Sequence, residues 1–416
     1  MRILYIHQHF STPRGAFGTR SYEFACRLVA AGHQVIVVCG ASSRSVTGLE
    51  APFVNGRREG LVDGINVIEY DIGYSTGDGV ARRIAKFTRF GLEASKIALT
   101  TSYDLIFATS TPLTAAIPGV LAKCFRRKPF VFEVRDLWPE LPRALGVTNP
   151  VLLGGMGALE WTAYRSADHV VGLAPGIVDG IARHGIDRDR ISLIANGCDV
   201  ALFQDRPDDT PAPSWPVDVE PGDFVAVYSG AHGIANGLDA LIPVAEELRA
   251  RGCEGIKLLL IGNGATKDAL VKEVQSRGLK SIVFGDLVPK TDLVRLLKRA
   301  DAGLQLLKNV TAFYRGTSPN KFFDYIAAGI PVIVNYPGWI AELVEDNACG
   351  SVVPPDDPVA FADALMRARD QGDGWRALGA NSNRLAKENF SRDRLGATFL
   401  DVIETVGSKR RRLYQW

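Results

Sequence analysis

Residues 317–335 read TSPNKFFDYIAAGIPVIVN, a segment that carries signals for both ends of a helix and for a strand behind it. Ser318 is a favourable N-cap residue, and Pro319 suits the first position of a helix. Gly329 is placed to end the helix, because glycine readily adopts the left-handed conformation found there. Residues 332–334 are a short apolar run. The segment therefore predicts a helix that begins at Pro319 and ends before Gly329, followed by a buried strand.

The polar face of this predicted helix is a candidate anion-binding site. Asn320 and Lys321 lie four and three positions before Asp324, so both side chains are neighbours of Asp324. A lysine in the first turn is unusual, because the helix dipole favours anions at that end. A phosphate held by the helix amides and by Lys321 accounts for it, and Asp324 could then accept hydrogen bonds from a ribose. A core helix with a solvated polar face explains the spacing equally well.

The same segment resembles the donor-site signature of family 4 of the retaining, nucleotide-sugar-dependent glycosyltransferases. In that family the helix ends in an acidic residue that is followed by a Gly-x-Pro-Val pattern, and here Asp324 is followed by YIAAGIPV. The opening SPNKFF is most similar to the bacterial surface-polysaccharide branch. Two positions depart from the signature. Asp324 replaces the usual Glu, and Gly316 stands where many relatives have a second Glu that contacts the transferred sugar.

This resemblance implies an α/β protein with the GT-B fold, in which two Rossmann-like α/β/α domains face a central cleft and a C-terminal helix crosses back to the first domain. The length of 416 residues also predicts two domains. We expect an N-terminal acceptor domain, a linker with five prolines, a nucleotide-sugar donor domain, and a crossover helix with a basic tail. The predicted boundaries are 1–205, 206–222, 223–390 and 391–416.

Composition is that of an ordinary globular protein and points to no nucleic-acid partner, since the net charge is only +2. The six cysteines are scattered without a C-x-x-C pair, which favours a reducing compartment. The chain runs directly into RILYI without a signal-peptide pattern, and no apolar run reaches about 18 residues. These features predict a cytoplasmic protein, with peripheral contact to the inner face of the membrane left open.

The first half opens with a β-α-β unit, which predicts a parallel sheet. The loop GAFG, residues 15–18, does not match G-x-G-x-x-G, so it predicts no dinucleotide site. The resemblance implies that Gly15, Phe17 and Gly18 approach the donor phosphates, whereas a simple tight turn is the alternative. Residues 40–64 read as a long loop. The helix predicted over 80–100 has a basic amphipathic pattern, which fits either an anionic membrane surface or a solvated face.

Arg135 and Asp136 follow a buried strand directly, at the end of a sheet where ligands gather. The resemblance places them in a segment where a His usually occupies the position of Arg135. Arg135 cannot shuttle a proton because its pKa is too high, but it could hold a phosphate or the acceptor. A structural salt bridge between the two residues is the alternative. We count Arg135, Asp136 and Lys321 as the candidate catalytic residues.

Three strand-following loops in the second half supply further candidates. The loop over 230–237 lacks the Arg and Lys that clamp the diphosphate in many relatives, so the resemblance shifts that role to backbone amides and Lys321. The candidate donor-binding residues of this half are His232, Gly233, Asn263, Leu287, Val288, Ser318, Asn320 and Asp324. For Leu287 and Val288 the resemblance implies main-chain pairing with the base.

The sequence thus predicts an enzyme that moves a sugar from a nucleotide diphosphate sugar, UDP by analogy, to a hydroxyl of a lipid-linked saccharide with retention, in surface polysaccharide, O-antigen or capsule synthesis. His7 and His9 have no third ligand nearby, so we expect no metal or other cofactor. Two alternatives stay open. One is a nucleotide-sugar 2-epimerase on the same scaffold, and the other is a non-catalytic donor-binding subunit.

Overall fold

The computed structural model describes residues 1–15, 18–42, 45–74, 78–144, 146–204, 214–215 and 219–413. The chain forms two compact units. The first contains Met1–Ala195, Gly316–Ser318 and the residues from Leu395 onward, and the second contains Asn196–Arg315 and Pro319–Arg394. Most of the predicted linker lies outside the described residues, and the predicted domain boundaries stay predictions.

The first unit is built on one eight-stranded sheet. Its strands are β1 (Arg2–Ile6), β2 (Gln34–Ser42), β3 (Arg57–Val62), β4 (Ile65–Tyr74), β5 (Leu105–Thr109), β6 (Phe130–Val134), β7 (His169–Gly172) and β8 (Ile191–Leu193). Their order is β3-β4-β2-β1-β5-β6-β7-β8, and every neighbouring pair except β3–β4 is parallel. The central strands are continuous apolar runs because both faces of a parallel sheet are covered. The predicted parallel sheet is confirmed.

Six α-helices accompany this sheet among the described residues up to Ala195. They are α1 (Arg20–Ala30), α2 (Val80–Thr100), α3 (Ile117–Arg126), α4 (Glu140–Ala144), α5 (Pro150–Ser166) and α6 (Pro175–Arg183). The helix predicted over 80–100 is confirmed.

The long loop predicted over 40–64 is wrong, because this stretch contains the end of β2 and all of β3. β3 pairs antiparallel with β4, with Val62 opposite Ile65. Between them, Asp63 and Gly64 have φ angles of 48° and 81°. A two-residue hairpin turn of type I′ has positive φ at both central positions, and Asp-Gly is a favoured pair for it. The signal for the hairpin was therefore present in the sequence, between two short apolar segments.

The second unit has a six-stranded parallel sheet in the order β11-β10-β9-β12-β13-β14. Its strands are β9 (Phe224–Ser229), β10 (Ile256–Ile261), β11 (Ile282–Gly285), β12 (Ala302–Gln305), β13 (Val332–Val334) and β14 (Gly350–Val352). Its helices are α7 (Leu241–Ala250), α8 (Lys267–Ser276), α9 (Lys290–Arg299), α10 (Thr311–Tyr314), α11 (Asn320–Ala328), α12 (Trp339–Asp346), α13 (Pro358–Gln371) and α14 (Asp373–Asn389).

The last helix, α15 (Arg392–Leu413), completes the core of the first unit. The Phe399 ring stacks on Phe24 of α1 with centroids 4.3 Å apart, and it meets Phe107 of β5 edge-on at 5.0 Å. Val402 and Ile403 are buried in the same cluster. The prediction that the C-terminal helix returns to the first domain is confirmed.

The helix and strand of the opening segment, 317–335, are both present, but α11 begins one residue later than predicted. Pro319, rather than Ser318, occupies the N-cap position, and Asn320 is the first helical residue. Gly329 ends the helix with a φ of 71°, as predicted, and β13 follows. Three-residue strands such as β13 are marked in sequence only by their apolar run and the punctuation around it.

Candidate functional site

The carboxyl ends of β9, β10 and β12 and the start of α11 form a polar site within the second unit. β9 has β10 on one side and β12 on the other, so the strand order reverses direction between β9 and β12. Open α/β sheets bind ligands beyond the carboxyl ends of the strands at such a switch point. The loops that follow β9 and β12 meet there, and the Lys308 amide donates to the Ala235 carbonyl over 3.0 Å.

Lys321, in the first turn of α11, points its ammonium group into this site. Its Nζ donates to Oδ1 of Asn236 over 3.0 Å and lies 4.8 Å from the centre of the Tyr228 ring. Burial lowers the pKa of Lys321 to about 8. Among the residues that the structure describes, no carboxylate lies within ion-pair distance of Lys321. A half-buried cation whose protein partners are a neutral amide and a ring is placed to receive an anion.

The loops after β9 and β10 interlock so closely that only glycine fits at the contact. Gly262 has a φ of +147°, and a Cβ there would lie 1.9 Å from the carbonyl oxygen of Gly230. The next contact joins the His232 amide to the Asn263 carbonyl over 3.1 Å. This packing fixes the backbone of the loop over 230–237. The sequence predicts that the amides of this loop donate hydrogen bonds to the donor phosphates.

His232 is fully buried, and neither nitrogen of its ring has a hydrogen-bond partner. Burial, together with the charge of Lys267, lowers the pKa of His232 to about 4, so the imidazole is neutral at pH 7. Gln305, the last residue of β12, is also fully buried with both amide atoms unpartnered. Unpartnered buried polar atoms are costly, and such atoms commonly mark a ligand or water position. Sequence reasoning missed Gln305, whose signal is a polar residue at the end of a buried strand.

Asp324, predicted to bind a ribose, is already ion-paired with Lys290. Nζ of Lys290 donates to Oδ2 of Asp324 over 2.5 Å, and the same ammonium lies 5.8 Å from the centre of the Phe203 ring. Lys290 is the first residue of α9 and was not among the predicted site residues. In the sequence, the signal for Lys290 as a site residue is its position at the start of a helix, just after the predicted base-binding residues Leu287 and Val288.

The other predicted donor-site residues lie on loops at the strand ends. Asn263 is exposed, and its Oδ1 accepts from the Gly264 amide over 2.7 Å. Gly233 precedes a short 3₁₀ turn, and Asn320 begins α11 with an exposed side chain. Leu287 and Val288 follow β11, and Leu287 is 65% exposed. Ser318 lies in the short segment grouped with the first unit. Their roles stay predictions.

In the first unit, the residues that follow β6 are held by a buried charge network. Glu133 is fully buried and accepts from Arg20 Nε over 3.0 Å and from Thr109 Oγ1 over 2.8 Å. Arg135 Nε lies 2.8 Å from Thr109 Oγ1 and 3.3 Å from Glu133 Oε1. The structural salt bridge considered between Arg135 and Asp136 is therefore not the arrangement observed. The two arginines hold the pKa of Glu133 below its usual value despite burial.

His7 directly follows β1, and Asp136 lies two residues after β6, so both are near the carboxyl ends of strands in the first sheet. Thr111 donates to Oδ2 of Asp136 over 3.3 Å, and burial raises the pKa of Asp136. His7 follows β1, and burial together with the charge of Arg135 lowers its pKa well below the usual value. Nδ1 of His7 and the whole amide of Gln8 are buried without a partner. Buried polar atoms without a hydrogen-bond partner thus also lie near the carboxyl ends of strands in the first sheet.

The loop after β1 contains the three remaining candidates. Gly15 lies in a turn in which its amide donates to the Thr12 carbonyl over 3.0 Å, and Gly18 is exposed. Phe17 lies outside the described residues. Within the described ranges, no group of three or more His, Cys, Asp or Glu side chains could hold a metal ion. In the same ranges, the helices include none with the length and apolar character needed to span a bilayer.

Comparison with known proteins matches most of the chain to two glycosyltransferase models. Residues 15–197 match the model described as "Glycosyl transferase 4-like domain", and residues 223–371 match "Glycosyl transferases group 1". The first match covers the unit that carries Arg135 and Asp136. The second covers the strands and helices around Lys321.

Curated relatives match at low identity. WcaI of Escherichia coli strain K12, named as a colanic acid biosynthesis glycosyl transferase, is 27% identical over 41% of this chain and 41% of its own length. The D-inositol 3-phosphate glycosyltransferase of Salinispora tropica is 26% identical over 98% of this chain and 85% of its own length. The chain spans about half of the length of the first curated relatives that it matches.

Among solved structures, HepE of Anabaena, determined in complex with UDP, superposes with a TM-score of 0.69 at 17% identity. The superposition covers 97% of this chain and 100% of HepE, which confirms the predicted GT-B fold class. The two family models, one on each sheet, and this shared fold lead to the same assignment. The chain belongs to family 4 of the glycosyltransferases, the nucleotide-sugar-dependent enzymes of the GT-B fold.

Proposed function

We propose that the protein transfers a sugar from a nucleotide diphosphate sugar, specifically a UDP-sugar, to a hydroxyl acceptor with retention at the anomeric carbon. The observation that carries the proposal is Lys321, a half-buried cation at the start of a helix, held by the neutral Asn236 and the ring of Tyr228. A diphosphate supplies the missing negative charge. HepE, which shares the fold, has been solved with UDP and with UDP-glucose, and this supports uridine as the carrier.

The chemistry follows from where charge develops during transfer. As the bond from the sugar to the diphosphate breaks, negative charge accumulates on the leaving phosphate. Lys321 and the N-terminal amides of α11 stabilise that charge without a metal ion, because their positions are fixed before the reaction. A phosphate oxygen of the donor then accepts the proton of the acceptor hydroxyl. Arg135 and Asp136 of the first unit serve the acceptor side in this scheme.

We infer that the acceptor is a lipid-linked saccharide in surface-polysaccharide synthesis. The supporting observation is the outer face of α2, where Ile84, Leu92 and Leu99 are 39%, 59% and 39% exposed. Arg82 is 74% exposed on the same helix, and Arg89 is also exposed. Exposed apolar side chains among arginines suit the surface of an anionic bilayer. The names of the relatives include both polysaccharide and inositol-phosphate enzymes, so the acceptor requires a direct test.

The donor is tested first, by calorimetry with UDP, GDP, ADP and TDP, each with and without EDTA. We expect UDP to bind selectively, to raise the melting temperature, and to do so equally in EDTA. A requirement for a divalent ion contradicts the metal-free donor site. Failure of all four nucleotides contradicts the assignment of Lys321 to a diphosphate.

Catalysis is tested by release of UDP from UDP-sugars in the presence of polyprenyl-diphosphate-linked saccharides or of D-inositol 3-phosphate. We expect release only with the lipid-linked saccharides. Release with D-inositol 3-phosphate alone contradicts the proposed acceptor but keeps the donor. Conversion of the donor sugar without any acceptor supports the 2-epimerase alternative instead. Tight UDP binding without turnover on any acceptor favours the non-catalytic alternative.

The membrane contact is tested with vesicles that contain anionic phospholipid. We expect the protein to sediment with them, and Leu92→Ser together with Leu99→Ser to reduce the bound fraction several-fold. Val359→Ser, which changes a 47% exposed valine on α13, is the matched control. Equal binding by the α2 variant and the control contradicts a role for α2. The cytoplasmic location stays a prediction.

A further inference from the structure

The ion pair between Lys290 and Asp324 joins the beginning of α9 to the middle of α11. The Lys290 side chain is 41% exposed and the Asp324 side chain is 13% exposed. Nζ of Lys290 donates a hydrogen bond to Oδ2 of Asp324, and the lysine also lies against the Phe203 ring. The lysine is therefore held on two sides, by a carboxylate and by an aromatic surface.

The other oxygen of this carboxylate is left open. Each carboxylate oxygen can accept about two hydrogen bonds. Among the residues that the structure describes, no donor lies within hydrogen-bond distance of Oδ1 of Asp324. The ion pair thus fixes the orientation of the carboxylate group through one oxygen and leaves the second available.

We propose that Lys290 is a positioning residue, which holds Asp324 so that its open oxygen accepts hydrogen bonds from the ribose hydroxyls of the bound nucleotide. This inference rests on the proposed function, because it takes the ligand of α11 to be a ribonucleoside diphosphate. Aspartate has the shorter of the two carboxylate side chains, one methylene shorter than glutamate. A shorter arm reaches less far and depends more on being held at the correct angle, which Lys290 provides.

A purely structural role for the pair predicts a different result. Ion pairs with substantial solvent exposure contribute little to the free energy of unfolding. A structural role would therefore change stability slightly and would affect all ligands alike. A positioning role affects only those ligands that carry ribose hydroxyls, so ligand selectivity separates the two.

The experiment compares UDP with 2′,3′-dideoxy-UDP by calorimetry. Lys290→Met removes the charge but keeps a long apolar side chain against Phe203, and Lys290→Arg keeps the charge. We expect Lys290→Met to weaken UDP binding about tenfold, the size of one hydrogen bond to a charged group, and to leave the dideoxy nucleotide within about twofold. Lys290→Arg should recover most of the affinity for UDP. Lys272→Met, on the exposed face of α8, is the control.

A double variant tests whether Lys290 acts through Asp324. Residues that act as one unit give non-additive effects. Asp324→Asn alone should also lose the preference for UDP, and Lys290→Met combined with Asp324→Asn should bind UDP no more weakly than the worse single variant. Additive losses overturn the proposal.

The remaining outcomes also overturn it. If Lys290→Met weakens UDP and dideoxy-UDP equally, Lys290 contacts the phosphates or supports the fold instead. If Lys290→Met binds UDP as tightly as the unmodified protein, the pair has no part in binding. If the unmodified protein binds neither nucleotide, the proposed function fails, and this is seen before any variant is made.

Discussion

The two sheets differ in whether the charged side chains near the carboxyl ends of their strands are paired with groups of opposite charge. In the first unit, Glu133 is fully buried and is satisfied by Arg20, Arg135 and Thr109, so the protein neutralises its own charges. In the second unit, the polar and aromatic partners of the Lys321 ammonium among the described residues are Asn236 and the ring of Tyr228. A closed network holds side chains in place, whereas an uncompensated cation leaves a position for an anion. The comparison explains why the second sheet is the better candidate for the charged substrate.

The same contrast appears in the direction of the pKa shifts. Glu133 stays ionised because its partners outweigh its burial, and its pKa is lowered. Lys321 has no carboxylate partner within the part of the chain that the structure describes, and burial lowers its pKa to about 8. A bound diphosphate would reverse that shift, since a nearby negative charge stabilises the protonated lysine.

The largest effect is expected from Glu133→Gln, which breaks the closed network. The substitution leaves Arg20 and Arg135 without their buried counter-charge, and removal of one partner from a buried pair costs about 3–5 kcal/mol. Urea denaturation measures the loss in the free energy of unfolding. Glu59→Gln, which breaks the exposed pair between Glu59 and Arg57, is the control and should cost less than about 1 kcal/mol. Similar losses for both variants would remove the contrast between the two sheets.

Lys321→Ala should have the next largest effect, on activity and not on stability. Removing a group that stabilises the developing charge costs about 10²–10³-fold in turnover. The melting temperature should hold or rise, because a buried uncompensated charge is lost. Release of UDP and thermal unfolding measure the two quantities, with Lys272→Ala as the exposed control. Near-normal turnover would mean that α11 is only structural.

The affinity for UDP should depend on pH through Lys321. Below about pH 8 the lysine is charged and the dissociation constant should be constant, because binding requires no proton uptake there. Above about pH 8 the free protein loses this proton, and binding should weaken toward tenfold per pH unit. Calorimetry between pH 7 and pH 9 measures the change, and Lys321→Arg should flatten it. If the affinity for UDP instead increases with pH, a cation other than Lys321 binds the diphosphate.

His232→Leu should change stability the least of these variants, and whether stability rises or falls is informative. The substitution removes two buried ring nitrogens that have no partner, so stability should rise by about 1 kcal/mol or stay unchanged. If the imidazole contacts the donor, UDP binding should weaken at the same time. Thermal unfolding with and without UDP measures both. A loss of stability in the absence of nucleotide would show that the ring is satisfied in the free protein.

Sequence reasoning succeeded where the signals are local. α2 and the end of α11 at Gly329 are set by periodicity and by a residue that tolerates positive φ, and both are confirmed. The hairpin at Asp63 and Gly64 carried an equally local signal and was overlooked. Such signals need no knowledge of the folded partner.

The contacts of the site could not be predicted in the same way, because their partners are distant in the chain. Lys290 and Asp324 are 34 residues apart, and Lys321 and Asn236 are 85 residues apart. The lack of partners around Gln305 is visible only after β12 and its neighbours are packed. Residue type and spacing named Lys321 and Asp324, but only packing gave their neighbours.

The packing of Phe399 against Phe24 and Phe107 also has a consequence for biosynthesis. Translation delivers α1 and β5 long before α15, so a growing chain exposes the apolar surface that Phe399 later covers. The core of the first unit is therefore complete only after α15 has been made. Nascent chains that stall before residue 395 should therefore bind chaperones through their N-terminal half, where this apolar surface stays exposed.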